Sequence, residues 1–164
     1  MTSTRLHTIG YQGASVEGFI AALKTAGVET LIDVRAVPAS RRREFSKRNL
    51  AASLEAAGLT YVHLVGLGNP KEGREAAKAG RLDDYRRIYT AHLDSEAGRD
   101  ALARAAEIAA ASPSYLMCLE ADPAFCHRSM VAERLAGKWG FDVENLAGAP
   151  AKPHDQRQLA FGEI

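Results

Sequence analysis

The run Glu120-Ala121-Asp122-Pro123-Ala124-Phe125-Cys126-His127-Arg128 brings a carboxylate, a thiol, an imidazole and a guanidinium into one short stretch. Glu120 can polarise water, orient a sugar hydroxyl or stabilise an oxocarbenium ion. Cys126 stands beside His127 and Arg128 near an expected helix start, a setting that lowers a thiol pKa and makes a nucleophile. His127 can exchange protons, and Arg128 can hold a phosphate or carboxylate bidentately. Plainer roles exist for each. Cys126 can be a small buried hydrophobe, and His127 can bond a backbone carbonyl.

Other residues extend the constellation. Arg35 closes the segment Leu31-Ile32-Asp33-Val34-Arg35 and can bind an anion, or pair with Asp33 or Glu120 as structure. Asp33 can itself face substrate, or hold the following loop by hydrogen bonds. Tyr11 can stack on a ring or donate its hydroxyl. Arg41, Arg42 and Arg43, with Lys47 and Arg48, make a compact basic run opposed by Glu44. Such a run attracts phosphate backbones, or is an ordinary solvated loop. The histidines and two cysteines lack paired metal-ligand spacings, so no metal is expected. There is no Walker sequence and no Gly-x-Gly-x-x-Gly, so no cofactor is indicated.

These residues need elements to position them. Tyr115-Leu116-Met117-Cys118-Leu119 is an apolar run that reads as a buried strand, and Val131, Leu135 and Trp139 have helical spacing. The chemistry-bearing run is therefore a strand-to-helix turn. In open α/β sheets, ligands bind beyond the carboxyl ends of the strands. A following helix offers free N–H groups to an anion. Further strands are expected at His7–Tyr11, Thr30–Arg35, Thr60–Leu64 and Asp142–Leu146. Helices are expected after Ser15, ended by Gly27, and after Ser46, ended by Gly58. Two or three polar helices fill Glu72–Ala111, broken near Gly80 and Ser95. Strands alternating with helices predict an α/β domain of three layers with a mainly parallel sheet of about five strands.

The chain has 164 residues and a net charge of +1, enough for one domain with a real core and no bulk pull toward polyanions. The expected division is an α/β domain over residues 1–148 and a flexible tail over 149–164, where Pro150 and Pro153 interrupt any periodicity. No signal peptide opens the sequence and no apolar run is long enough to span a bilayer. A cytoplasmic protein with reduced thiols and no membrane partner is expected.

Four motifs together resemble the domain of unknown function 488 family. They are Thr8-Ile9-Gly10-Tyr11, Leu31-Ile32-Asp33-Val34-Arg35 with Pro38, Ser40 and Phe45, Gly66-Leu67-Gly68, and Glu120-x-x-Pro123-x-x-Cys126-His127-Arg128. The resemblance covers residues 5–150 and implies no particular activity. A second, more distant resemblance is to rhodaneses and related phosphatases, through the Leu-Ile-Asp-Val-Arg strand and a later cysteine loop. It would imply Cys126 as nucleophile, but the loop here lacks the several-residue cradle after the cysteine. In the tail, Gln156-Arg157-Gln158-Leu159-Ala160-Phe161 resembles the Gln-x-x-Leu-x-Phe peptide that docks on the bacterial sliding clamp. Gln156, Leu159 and Phe161 would be its contacts.

The leading expectation is a protein that acts on, or binds, nucleic acid or nucleotides in DNA maintenance. Arg35, Arg128 and the arginine loop would hold phosphate. Glu120 and His127 would do acid–base chemistry at a glycosidic bond. The alternatives are a rhodanese- or phosphatase-type cysteine enzyme, and a non-catalytic module that binds a phosphorylated small molecule and the clamp.

Overall fold

The computed structural model describes residues 5–11, 13–38, 40, 42–118 and 127–147. Within them the chain forms a five-stranded, wholly parallel sheet with helices on both faces. The strands are β1 (Arg5–Gly10), β2 (Thr30–Asp33), β3 (Thr60–His63), β4 (Ser114–Cys118) and β5 (Asp142–Ala147). The helices are α1 (Val16–Thr25), α2 (Lys47–Ala56), α3 (Lys71–Lys78), α4 (Leu82–Asp94), α5 (Glu96–Ala111) and α6 (Arg128–Trp139). Short 3₁₀ turns stand at Arg43–Phe45 and Val65–Leu67.

Local chemistry sets the element ends. The Ser15 hydroxyl accepts the Gly18 N–H at 3.0 Å and starts α1. Just past that helix, Gly27 takes φ 75°, a left-handed turn that favours glycine. Ser95 likewise caps α5 through the Gly98 N–H. The expected breaks at Gly80 and Ser95 divide the long helical insertion into α3, α4 and α5.

Strand alternation splits the interior into two cores. Leu31 packs with Phe19, Leu23, Leu50 and Leu54 under α1 and α2. Ile32 and Val34 point the other way, into a core with Tyr89, Leu93, Leu102, Val131 and Leu135 from α4, α5 and α6. A sheet buried on both faces needs apolar residues at consecutive positions, which is why β2 and β4 read as unbroken hydrophobic runs.

The strand order is β3-β2-β4-β1-β5. The chain leaves β1 and β2 for α1 and α2 on one face, but leaves β4 for α6 on the other. Because β4 lies between β2 and β1, its carboxyl end stands where connections part to opposite sides. That is the place where an open parallel sheet forms a crevice.

Candidate functional site

Asp33 ends β2 with no solvent exposure. Its Oδ1 accepts the Arg35 main-chain N–H at 3.0 Å and Nε at 2.9 Å, and its Oδ2 accepts Arg35 Nη2 at 2.7 Å. The Tyr61 hydroxyl of β3 donates to the same Oδ2 at 2.5 Å. Arg35 Nη1 in turn donates to the Phe45 carbonyl at 2.8 Å and faces the Tyr11 hydroxyl at 3.4 Å. Burial disfavours the Arg35 charge, yet its bonds with Asp33 and the attraction between them hold the guanidinium above the ordinary arginine range. Burial and the Asp33 charge push the Tyr61 phenol upward, so it stays a donor. These are the bonds of the structural alternative for both residues. Arg35 joins β2 to the arginine loop, and Asp33 fixes Arg35.

Tyr11, at the exit of β1, stacks on Phe45 with ring centroids 4.4 Å apart, and Phe19 meets Phe45 edge-on. The Arg42 guanidinium lies 4.6 Å from the Phe45 ring centroid and bonds Glu44 at 2.9 Å. Arg42 is thus committed to its own loop, whereas Arg43, Lys47 and Arg48 are exposed. Arg41 lies outside the described residues. The Ser46 hydroxyl accepts the Ser40 N–H at 3.3 Å instead of capping α2.

His127 and Arg128 stand at the start of α6. The His127 Nε2 lies 2.6 Å from the Val34 carbonyl, which makes it the protonated nitrogen. This bond fastens the start of α6 to the exit of β2. The ring also meets Tyr89 edge-on at 5.4 Å. Burial lowers the His127 pKa to about 4, with the Arg128 and Arg74 charges acting in the same direction. The imidazole is therefore neutral near pH 7. Arg128 has no solvent exposure and shares the buried face of α6 with Val131, Ala132 and Leu135. Glu120 and Cys126 lie outside the described residues, as do Gln156, Leu159 and Phe161. Among the described residues, no group of three metal-ligating side chains forms a metal site.

Several site residues are not singled out by motif. Tyr61 and His63 alternate along β3 and flank β2. His63 Nε2 bonds the Arg35 carbonyl at 2.7 Å. Their period-two spacing was the available signal. Arg74 of α3 reaches back to the Asn69 carbonyl at 2.9 Å. The Gly66-Leu67-Gly68 turn is pinned by the Tyr89 hydroxyl on the Leu67 carbonyl at 2.5 Å and by His92 on the Gly66 carbonyl at 2.7 Å. A Cβ on Gly68 would stand 2.3 Å from the Ala36 Cα, so this glycine permits two strand exits to touch.

The edge so assembled gathers parts of all four family motifs: Tyr11, the β2 exit with Phe45, the glycine turn, and His127 with Arg128. Comparison with curated proteins and with solved structures gave no match. The family model for a domain of unknown function, DUF488, matches residues 15–135, and a chain matched over most of its length belongs to that family.

Proposed function

We propose that this protein binds, and acts on, a nucleic acid or a nucleotide at the carboxyl edge of its sheet, in DNA maintenance. The observation that carries this reading is the exposed basic group Arg43, Lys47 and Arg48 on the 3₁₀ turn and the first turn of α2. That first turn holds no acid, and its Ser46 hydroxyl is engaged elsewhere. Cations at a helix start are disfavoured by the helix dipole, so the positive potentials add rather than cancel. An anion with repeated charges is the natural complement. The patch is not a loose appendage, because Phe45 of the same turn is held by Arg35 and stacked on Tyr11.

In this reading the start of α6 receives a phosphate, with the buried charge of Arg128 behind it, and Glu120 and Cys126 are the candidates for chemistry. His127, neutral and tied to Val34, positions the start of α6 and does not carry protons through Nε2. A phosphorylated small molecule would use the same anion site.

Fluorescence anisotropy with a labelled single-stranded oligonucleotide, followed over a salt series, tests this. Affinity should fall steeply with salt, by roughly 0.7 in log–log slope for each phosphate contacted. Replacing Arg43, Lys47 and Arg48 together with glutamine should flatten that slope by about 2. No binding at low salt, or an unchanged slope in the triple variant, would overturn the reading.

A further inference from the structure

The segment from β3 into α3 is fastened on several sides. The Leu64 N–H donates to the Asp33 carbonyl at 3.1 Å, Tyr89 and His92 hold Leu67 and Gly66, and Gly68 lies against Ala36. On this rigid segment sits Asn69, only 4% exposed. Its Oδ1 is buried and has no hydrogen-bond partner among the described residues. A buried amide oxygen is costly to leave unsatisfied, and native proteins seldom do so without use for it. The sequence also clears space for this group. A Cβ on Gly73 would stand 2.0 Å from Asn69 Oδ1. Gly73 lies inside α3, where alanine is the better helix former, so the glycine trades helix propensity for room around the amide.

Resting on the nucleic-acid reading above, we propose that Asn69 reads the edge of a nucleobase, with Arg74 beside it for the phosphate of the same nucleotide. A side-chain amide offers one donor and one acceptor side by side. That pair matches the amine and ring nitrogen of adenine. A bare phosphate offers only acceptors and would leave the amide oxygen unsatisfied. Arg74 connects the two halves. Its guanidinium bonds the Asn69 carbonyl, while the preceding Gly68 lies against Ala36, two residues past the Val34 carbonyl that holds His127 at the start of α6. The reader of the base and the crevice beyond β4 are thereby neighbours. A hydroxyl of the sugar is the competing donor.

Titration of the full-length protein with AMP, IMP and ribose 5-phosphate, by calorimetry or amide chemical shifts, separates these occupants. AMP should bind about tenfold more tightly than IMP, whose carbonyl replaces the amine, and than ribose 5-phosphate. Asn69→Asp, which replaces the amide donor with a second acceptor at nearly the same volume, should reduce that preference to about twofold or less, with the fold checked by circular dichroism. Gly73→Ala, which crowds the amide, should cause the same loss. Equal binding of AMP and IMP would overturn the proposal in favour of a sugar or phosphate contact. So would a melting temperature that drops with Asn69→Ala and recovers with Asn69→Asp while nucleotide preference stays unchanged, the behaviour of a plain helix cap. If salt-dependent oligonucleotide binding persists beside either result, the base-reading role falls and the wider reading stands. If neither oligonucleotide nor nucleotide binds, both fall.

Discussion

At the scale of single residues, the buried Asp33–Arg35 pair carries the heaviest consequences. Removing one partner strands a charge in the interior, a loss of about 3–5 kcal/mol. Asp33→Ala should therefore lower unfolding stability in urea by that amount. Tyr61→Phe, which removes one hydrogen bond to the carboxylate, should cost about 1.5–3 kcal/mol. Equal stabilities of wild type and Asp33→Ala would mean that the pair does not hold the β2 exit. His127 gives a second expectation. Its folded pKa is about 4 against an ordinary 6.5, so the unfolded chain binds more protons between those values. Stability should thus be full above pH 6.5 and decline as pH falls from there toward 4. Glu44 and Asp94, whose pKa values are lowered, add their own losses only below the ordinary carboxylate values of 4.5 and 3.8. His7, whose pKa is also lowered by burial, contributes to the same decline as His127. A melting-temperature series from pH 7.5 to 4 should show it, and His127→Gln should reduce it. Much at this scale was legible. The motif residues Tyr11, Asp33, Arg35, His127 and Arg128 gather at one edge because each ends a strand or begins the helix after one. What could not be read was which groups satisfy each other. Asp33 and Tyr61 meet only through the pairing of β2 with β3.

At the scale of elements, two glycines of similar sequence appearance should behave oppositely. Gly68→Ala places a Cβ within 2.5 Å of both the Cα and the N of Ala36, backbone that cannot step aside. It should destabilise by more than about 2 kcal/mol, on the scale of overpacking. Gly137, inside α6, has open space where an alanine methyl would stand, with nothing within 4 Å. Gly137→Ala should raise stability by about 0.5–1 kcal/mol through helix propensity and reduced unfolded-state freedom. Thermal denaturation of the two variants checks both, and a shared sign would contradict this account. The elements themselves followed from local chemistry. Apolar runs marked the buried strands, Ser15 and Ser95 capped helices, and Gly27 and Gly80 followed their ends with left-handed turns. The 3₁₀ turn Arg43–Phe45 was hidden, because what holds it is remote in sequence. Arg35 bonds the Phe45 carbonyl and Tyr11 covers its ring. Ser46 stands at the start of α2 as its type suggests, but its hydroxyl serves Ser40.

At the scale of the whole molecule, no helix among the described residues is long and apolar enough to cross a membrane. The tail peptide lies outside those residues, and its proposed role is tested by binding. Leu159→Ala with Phe161→Ala should abolish association with a bacterial sliding clamp in surface plasmon resonance. The melting temperature should stay within a degree or two. A large drop in melting temperature would instead assign both side chains to the protein's own core, where such truncations cost several kcal/mol. The α/β class and the parallel sheet were legible from the alternation of strands and helices. The order of the strands was not, since nothing local tells β1 that its neighbours are β4 and β5. That order has a consequence during synthesis. As the chain emerges, β2 and β3 can pair early, but β1 has neither neighbour until Ser114 and the residues after it have been made. A nascent or truncated chain ending before Ser114 carries three strand flanks without their partners, two on β1 and one on β2. Such flanks invite association with other chains. They also mean that Tyr11 and Arg35 come to one edge only after β4 has slid between their strands, so the crevice is built last, when most of the protein has left the ribosome.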